Sequence, residues 1–262
     1  MKTIKKDNLV VGDYVEIREN EYNIGKYIIS KVLPRKNSIP RPRLANLDKL
    51  LILVAPEPKP DFLLLDKLII YCTINNIEPI IIINKCDIAS DDFTKSVYAQ
   101  YSGKKIYVIS AKNGTGMDKV KEELLDTFSA VCGQSAVGKS SFINAIMPEL
   151  SLETQGLSEK IQRGKHTTRV NQVFISSNFM IADTPGFSSL ELNIDYRDLS
   201  EYYNEFDEYK CNCKYLDCSH IKEGRDCGVC VAVSDGKINK DRYARYVDLY
   251  GKLKENWEKK YD

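Results

Sequence analysis

The sequence predicts an α/β fold, with a parallel sheet covered by helices, a small β module before it and a metal-binding helical module after it. Three observations carry this. Pro79-Ile80-Ile81-Ile82-Ile83 is a continuous β-branched run, as expected of a parallel strand buried on both faces. Gly133-Gln134-Ser135-Ala136-Val137-Gly138-Lys139-Ser140 fits G-x-x-x-x-G-K-[ST], between an apolar run (Phe128–Cys132) and a helix-like segment (Ser141–Ile146). Three cysteines and a histidine cluster between Cys213 and Cys227.

Composition bounds the rest. The 262 residues suffice for one large domain or two to three small ones. Hydrophobic content of 43% with 29% charge describes a globular, soluble chain. A net charge of +1 gives no global basic field, so any nucleic-acid surface must be local. No apolar run reaches membrane-spanning length, and the first residues lack a secretory apolar core. A cytoplasmic protein without membrane attachment is expected. Its eight cysteines then read as thiols or metal ligands rather than disulfides.

In chain order, residues 1–43 read as a short, basic β module. Strand patterns at Val10–Ile17 and Tyr27–Leu33 precede a proline-broken basic loop, Pro34–Arg43. Two or three strands cannot close a barrel. The basic loop suits phosphate-backbone contact or a solvated linker.

Residues 44–198 carry the α/β rhythm. Leu50–Ala55 reads as a buried strand and Phe62–Asn75 as a helix. The strand at Pro79–Ile83 ends in Asn84-Lys85-Cys86-Asp87. The Asp87 carboxylate can accept from the N1–H and 2-amino groups of guanine, a donor pair adenine lacks. Asn84 would bond the base edge and hold the loop, and the Lys85 stem would lie on the ring. A strand at Lys105–Ile109 ends in Ser110-Ala111-Lys112, a turn that gives a backbone N–H to a guanine 6-oxo group in guanine-nucleotide proteins. A helix near Met117–Leu125 leads to the phosphate loop. There the N–H groups of Gly133–Ser140 and Ser141 would face phosphates, Lys139 would reach the β- and γ-phosphates, and Ser140 would hold magnesium. Residues 150–172 form a basic loop. Strands at Val173–Ile175 and Phe179–Ala182 follow. The second ends in Asp183-Thr184-Pro185-Gly186, placing a carboxylate on magnesium and the Gly186 N–H near the γ-phosphate.

Residues 199–262 form the last module. Residues 191–208 are acidic, with Tyr202, Tyr203 and Phe206 at near-helical spacing, and read as a solvated helix with one packed face. Residues 236–260 read as a second helix, aromatic on one face and basic on the other. That basic face suits RNA phosphates or plain solvent. Cys213, Cys218, His220 and Cys227 offer three thiolates and an imidazole, a closed tetrahedral set for one structural zinc per chain. Cys211 and Cys230 are left over, with Cys230 the alternative fourth ligand.

The order of the motifs is informative. In ordinary small GTPases the phosphate loop comes first and the guanine readers last. Here Asn84–Asp87 and Ser110–Lys112 precede Gly133–Ser140, Thr167/Thr168 and Asp183–Gly186, a circular permutation. The chain resembles the RsgA (YjeQ/EngC) family of circularly permuted, ribosome small-subunit-dependent GTPases. Gly164-Lys165-His166-Thr167-Thr168, Asp183-Thr184-Pro185-Gly186-Phe187 and the cysteine cluster carry the resemblance, which runs from about Val10 to Tyr246. It implies an OB-like N-terminal module, a permuted GTPase domain and a zinc domain. It also implies GTP hydrolysis, stimulated by the small ribosomal subunit, in that subunit's late maturation. The partners would be the subunit, its rRNA and GTP or GDP, and the chain is expected to act as a monomer.

The resemblance adds site residues. Thr167 and Thr168 would join Ser140 and Asp183 around magnesium. No Gln follows Asp183–Gly186 (Phe187-Ser188-Ser189 stands there), so His166 would position the attacking water; as a sequence feature alone, it is also a surface histidine in a basic loop. The family's zinc ligands match Cys213, Cys218 and His220. Cys227 comes one residue late, and Val229, Ala232, Val233, Gly236 and Ile238 restore the register. Two departures stand out: the N-terminal module is too short for a five-stranded barrel, and Ala136 replaces the usual glycine. Two other readings stay open, a guanine-nucleotide switch on RNA or protein with incidental hydrolysis, and an ATPase, the latter opposed by Asn84–Asp87.

Overall fold

The structure is a computed structural model, which describes residues 9–20, 23–148, 172–184, 187, 190–221 and 226–261. Two compact units divide the described chain. One draws on Met1–Thr94 and Lys104–Leu190, the other on Lys95–Gly103 and Glu191–Asp262.

The first unit is built on a six-stranded sheet. Its strands are β5 (Lys49–Val54), β6 (Glu78–Ile83), β7 (Lys105–Val108), β8 (Phe128–Gly133), β9 (Gln172–Ile175) and β10 (Met180–Asp183). The spatial order is β7-β6-β5-β8-β10-β9. All neighbours are parallel except the β9–β10 pair. The isoleucine run behaves as its composition requires: Ile80, Ile81, Ile82 and Ile83 are fully buried, on both faces of β6. Each such side chain contributes about 1.5–3 kcal/mol of transfer free energy. Among the described residues, four helices connect the strands: α1 (Phe62–Ile74), α2 (Asp91–Gln100), α3 (Met117–Leu124) and α4 (Lys139–Ile146). Asp61 caps α1 by accepting from the Leu64 N–H at 2.9 Å. One core cluster joins α3 and α4 (Val120, Leu124, Phe142, Ile143) to β5, β6, β8 and β10 (Leu51, Ile82, Val131, Ile181). The parallel strands therefore deliver their C-terminal ends to one edge, where α/β folds place ligands.

The N-terminal part is small. β1 (Val15–Asn20) and β2 (Asn23–Val32) form an antiparallel ribbon with register shifts after Glu16 and Glu19. β3 (Ser38–Pro40) and β4 (Arg43–Ala45) form another two-stranded sheet. The first strand begins five residues later than its sequence pattern, because Gly12, at φ 93°, turns the chain before Val15. Arg35 clasps Asp13 through two bonds, Nε to Oδ1 at 2.6 Å and Nη2 to Oδ2 at 2.9 Å. Among the described residues these strands close no barrel.

In the second unit, the expected helix over 191–208 is instead two 3-10 segments, Tyr196–Tyr202 and Asn204–Phe206, followed by the short α5 (Asp207–Lys210). Tyr203 breaks the run at φ −110°, ψ 80°. That break lets Tyr203 and Phe206 stack at 5.2 Å with both rings buried. Residues three apart eclipse in a 3-10 helix, so this spacing competes with the 3.6-residue period. α6 (Gly228–Ser234) and α7 (Lys240–Tyr261) complete the unit. Tyr246 of α7 meets Tyr203 and Phe206 edge-on, at 5.0 and 4.9 Å. The Arg242 guanidinium, buried, lies 4.9 Å from the Tyr101 ring and 4.7 Å from the Tyr203 ring and pairs with Glu205. No helix among the described residues is long and apolar enough to cross a membrane.

Candidate functional site

β8 delivers the phosphate loop. Gly133 sits at φ 138°, where a Cβ would lie 2.4 Å from the Leu53 carbonyl oxygen of the adjacent β5. Gly138, at φ 93°, starts α4, and a Cβ there would lie 2.5 Å from Asn84 Nδ2. Both glycines are thus required by backbone conformation and by close neighbours. Ala136 also takes a left-handed conformation, φ 64°, as a residue with a Cβ. Val137 turns its side chain into the core. Ser135 is exposed, while Ser140 and Ser141 are half-buried in the first turn of α4.

Lys139 folds its ammonium back over the loop, donating to the carbonyls of Gly133 at 2.9 Å and Gln134 at 2.7 Å. Burial pulls its pKa below the usual lysine value. Asp183, at the end of β10, is pushed above the ordinary carboxylate range by burial, with Lys139 opposing the shift. A half-buried carboxylate beside the first turn of a phosphate-loop helix suits a hard cation. Ser140 and Asp183 fit a magnesium ion carried by a nucleotide. The Thr184 hydroxyl anchors this end of β10 by donating to the Val131 carbonyl at 2.8 Å.

The base-reading residues meet the same edge. Asn84 is buried, and both ends of its amide bond to backbone. Nδ2 donates to the Val137 carbonyl at 2.9 Å, and Oδ1 accepts the Ala111 N–H at 3.0 Å. Asn84 therefore ties the phosphate loop to the Ser110–Lys112 turn. A guanine 6-oxo group would have to share the Ala111 N–H or take another. Asp87 Oδ1 accepts from the Ser110 hydroxyl at 2.6 Å. That bond holds the carboxyl below its ordinary value, with Lys112 and Lys85 acting the same way. An ionised, exposed carboxylate is the acceptor that two guanine donors require.

Sequence reasoning missed one wall of the site. The Lys85 ammonium donates to the Glu57 carbonyl at 2.8 Å and the Ala136 carbonyl at 2.9 Å. The Asp61 N–H donates to Gln134 Oε1 at 3.2 Å. The proline-rich loop between β5 and α1 is thereby fastened to the phosphate loop from two sides. Nothing in its Pro-Glu-Pro-Lys-Pro composition signals that. His166, Thr167, Thr168 and Gly186 lie outside the described residues.

The second cluster is in the other unit. One donor atom each of Cys213, Cys218, His220 and Cys227 lie within 4.8 Å of one another. Cys213 Sγ and Cys227 Sγ are 3.9 Å apart, and each is 3.5 Å from His220 Nδ1. Tetrahedral zinc with metal–sulfur bonds of about 2.3 Å and metal–nitrogen bonds of about 2.0 Å needs such separations. Burial lowers the His220 pKa, favouring the neutral imidazole that ligates metal. Burial pushes the Cys218 and Cys227 thiols up to about 11, so a cation is needed to hold them as thiolates. The donor set fits one structural zinc. Cys230 stands behind it: its N–H donates to Cys227 Sγ at 3.4 Å, and its thiol lies 3.3 Å from the Tyr243 hydroxyl. Tyr243 also donates to the His220 carbonyl at 2.8 Å, fixing a residue held at φ 55°. Cys211 is exposed and outside the cluster.

With this geometry in view, comparison with known proteins is direct. The family model described as RsgA GTPase matches residues 32–193. The chain is 40% identical over 264 residues to a "Small ribosomal subunit biogenesis GTPase RsgA" of Caldanaerobacter subterraneus subsp. tengcongensis, covering 98% of this chain and 88% of that protein. It is 42% identical to a protein of the same description from Ruminiclostridium cellulolyticum, covering 87% and 75%. Among solved structures, YjeQ from Thermotoga maritima superimposes with a TM-score of 0.79 at 34% identity, covering 95% of this chain and 86% of that one. YloQ, described as a circularly permuted GTPase, superimposes at 0.76 with 29% identity, covering 96% and 84%.

Proposed function

The chain belongs to the RsgA family of GTPases, and from that premise we propose that it hydrolyses GTP in the late maturation of the small ribosomal subunit, with the subunit stimulating turnover. The observation that carries this reading is the Asn84 amide bridge. It joins a base-reading motif to a phosphate loop that follows it in the chain, so the permuted order still builds one nucleotide site.

In this reading each residue takes the role its motif implies. Asp87, aligned by Ser110, accepts from guanine. The N–H groups of the phosphate loop and the Lys139 ammonium hold the phosphates. Ser140 and Asp183, with Thr167 and Thr168, hold magnesium, which supplies charge neutralisation at the β- and γ-phosphates. His166 positions the attacking water. Cys213, Cys218, His220 and Cys227 hold a structural zinc that organises the second unit. The basic face of α7 and the N-terminal basic loop meet rRNA phosphates, and the protein acts as a cytoplasmic monomer. The division of labour among residues 1–43, 44–198 and 199–262 is part of the same proposal.

The test is GTP turnover with and without small subunits, in the wild type and in His166→Ala. A positioned general base contributes roughly 10²–10⁴-fold. The variant should bind GTP normally and lose most of the stimulated rate. Unstimulated wild-type turnover would favour the binding switch with incidental hydrolysis. Equal GTP and ATP affinity would remove the guanine site.

A further inference from the structure

Of the four metal donors, His220 is held at φ 55°, a left-handed conformation uncommon for a residue with a Cβ. The ring nitrogen that faces the cysteines is Nδ1, 3.5 Å from both Cys213 Sγ and Cys227 Sγ. Nδ1 adjoins the ring carbon that carries Cβ, so its position follows the backbone of residue 220 more closely than Nε2 would. That backbone is gripped from α7. The Tyr246 hydroxyl donates to the Ser219 carbonyl at 2.6 Å, and the Tyr243 hydroxyl donates to the His220 carbonyl at 2.8 Å. These carbonyls belong to the two peptide planes on either side of the His220 Cα. Holding both planes sets φ and ψ between them. Tyr243 and Tyr246 stand three residues apart and so share one face of the helix. Phe206 joins the same cluster, its ring edge-on to His220 at 5.8 Å and to Tyr246 at 4.9 Å.

We propose that Tyr243 and Tyr246 are positioning residues of the metal centre, holding His220 left-handed so that its Nδ1 faces the cysteine sulfurs, and that zinc in turn fixes α7 against Ser219 and His220. The inference rests on the zinc reading above. The coupling runs both ways because linkage between two binding events is reciprocal. Hydroxyl bonds that pre-form the donor set strengthen the hold on the metal, and the metal strengthens the bonds that dock the helix. Spacing of the cysteines and histidine along the chain brings four donors near one another; the orientation of one of them comes from a helix that supplies no ligand. Loss of either hydroxyl should thus weaken zinc binding while every ligand stays in place.

Zinc affinity of the full chain, read by competition with a chelating dye, tests this. Tyr243→Phe and Tyr246→Phe each keep the ring and lose only the hydroxyl. Each should bind zinc roughly ten- to hundredfold more weakly, the range for losing a partner that orients a metal ligand. Cobalt loaded in place of zinc should show shifted absorption bands in both variants, since those bands follow donor geometry. Trp257→Phe is the packing control. Trp257 also lies on α7, against Tyr196 at 5.8 Å, and outside the donor set. That variant should lower the thermal midpoint, keep zinc affinity within about twofold and leave the cobalt bands unmoved. Tyr243 is only half-buried, so Tyr243→Phe serves if Tyr246→Phe does not fold. Tyrosine variants that hold zinc as tightly as the wild type, that weaken it no more than Trp257→Phe does, or that leave the cobalt bands unmoved would each overturn the proposal. A wild-type chain that binds no zinc would instead remove the metal reading itself. Zinc held equally by all these chains removes only the role of the two tyrosines.

Discussion

The side-chain amide of Asn84 donates to the Val137 carbonyl at 2.9 Å, so the base-reading motif and the phosphate loop share a buried hydrogen bond. Gly138, one residue on, approaches the same amide so closely that it has no room for a Cβ. Asn84→Ala removes this bond and the one to the Ala111 N–H together. It strands two backbone groups in a buried site, at about 1–3 kcal/mol each. Affinities for GTP and GDP should therefore fall in parallel, by tenfold or more, and the thermal midpoint should drop. Titrations with both nucleotides check this; a loss confined to GTP would contradict it.

Asp87 behaves differently because it is exposed and its partner is the Ser110 hydroxyl. Asp87→Asn keeps shape and removes charge. The loss of a charge-assisted pair to the base should cost ~1.5–3 kcal/mol of GTP affinity. Xanthine carries an oxygen acceptor where guanine carries its 2-amino donor, and the Asn amide can donate to it. Xanthosine triphosphate should bind Asp87→Asn better than the wild type. Competition between the two nucleotides measures the exchange.

Acid stability should depend on Glu123. Burial pushes its carboxyl up, but bonds from Lys49, Tyr107 and Lys105 outweigh that and hold it at about 2. A carboxylate depressed from an ordinary 4.5 contributes stability that is fully present above 4.5. That contribution is lost as pH falls through about 2. Glu123→Gln should be less stable than the wild type at neutral pH, and the gap should close progressively between pH 4.5 and 2. Denaturant midpoints across that window measure it, and a constant gap would contradict it.

The zinc cluster predicts a difference between two neighbouring cysteines. Cys227 faces the other three donors, whereas Cys230 offers Cys227 a backbone N–H that any side chain leaves intact. Cys230→Ala should keep about one zinc per chain. Cys227→Ala and Cys213→Ser/Cys218→Ser should lose it, and with it the ordered environment of Tyr203 and Tyr246. Elemental analysis with near-ultraviolet circular dichroism tests both points. Zinc retained by the double variant would remove the ligand assignment, and zinc lost only from Cys230→Ala would exchange the two cysteines.

Strands and loops were legible where composition left one solution. Four consecutive isoleucines are typical of a strand covered on both faces, and Gly133, Gly138 and Lys139 announce a phosphate loop by type and spacing. Pairwise commitments of side chains were not legible. The Lys85 stem is expected along a base; that its ammonium also bonds the carbonyls of Glu57 and Ala136 is a commitment composition cannot reveal. The aromatics at 202, 203 and 206 fit a helical period on paper. The Tyr203–Phe206 stack chose the 3-10 spacing instead, because tertiary packing overrides a weak local preference. The Tyr71–Phe187 pair joins residues more than a hundred positions apart, beyond any local pattern.

Ala136 is one of six described non-glycine residues held at positive φ, and it lies in the phosphate loop. At φ 64° its Cβ crowds the following carbonyl, a conformation that costs an L-residue roughly 1–2 kcal/mol. The Lys85 ammonium, bonded to the Ala136 carbonyl at 2.9 Å, helps hold the loop there. Ala136→Gly removes the crowding, offset in part by the greater freedom of glycine in the unfolded chain. The net expectation is a gain of ~1 kcal/mol in unfolding free energy, with nucleotide affinity unchanged or slightly higher. Lys85→Met should make the strain visible by removing the tether and leaving the alanine. In that background Ala136→Gly should restore more affinity than it adds to the wild type. A double-mutant cycle on GDP binding reads this coupling, and strict additivity would show that Lys85 does nothing to hold the left-handed turn.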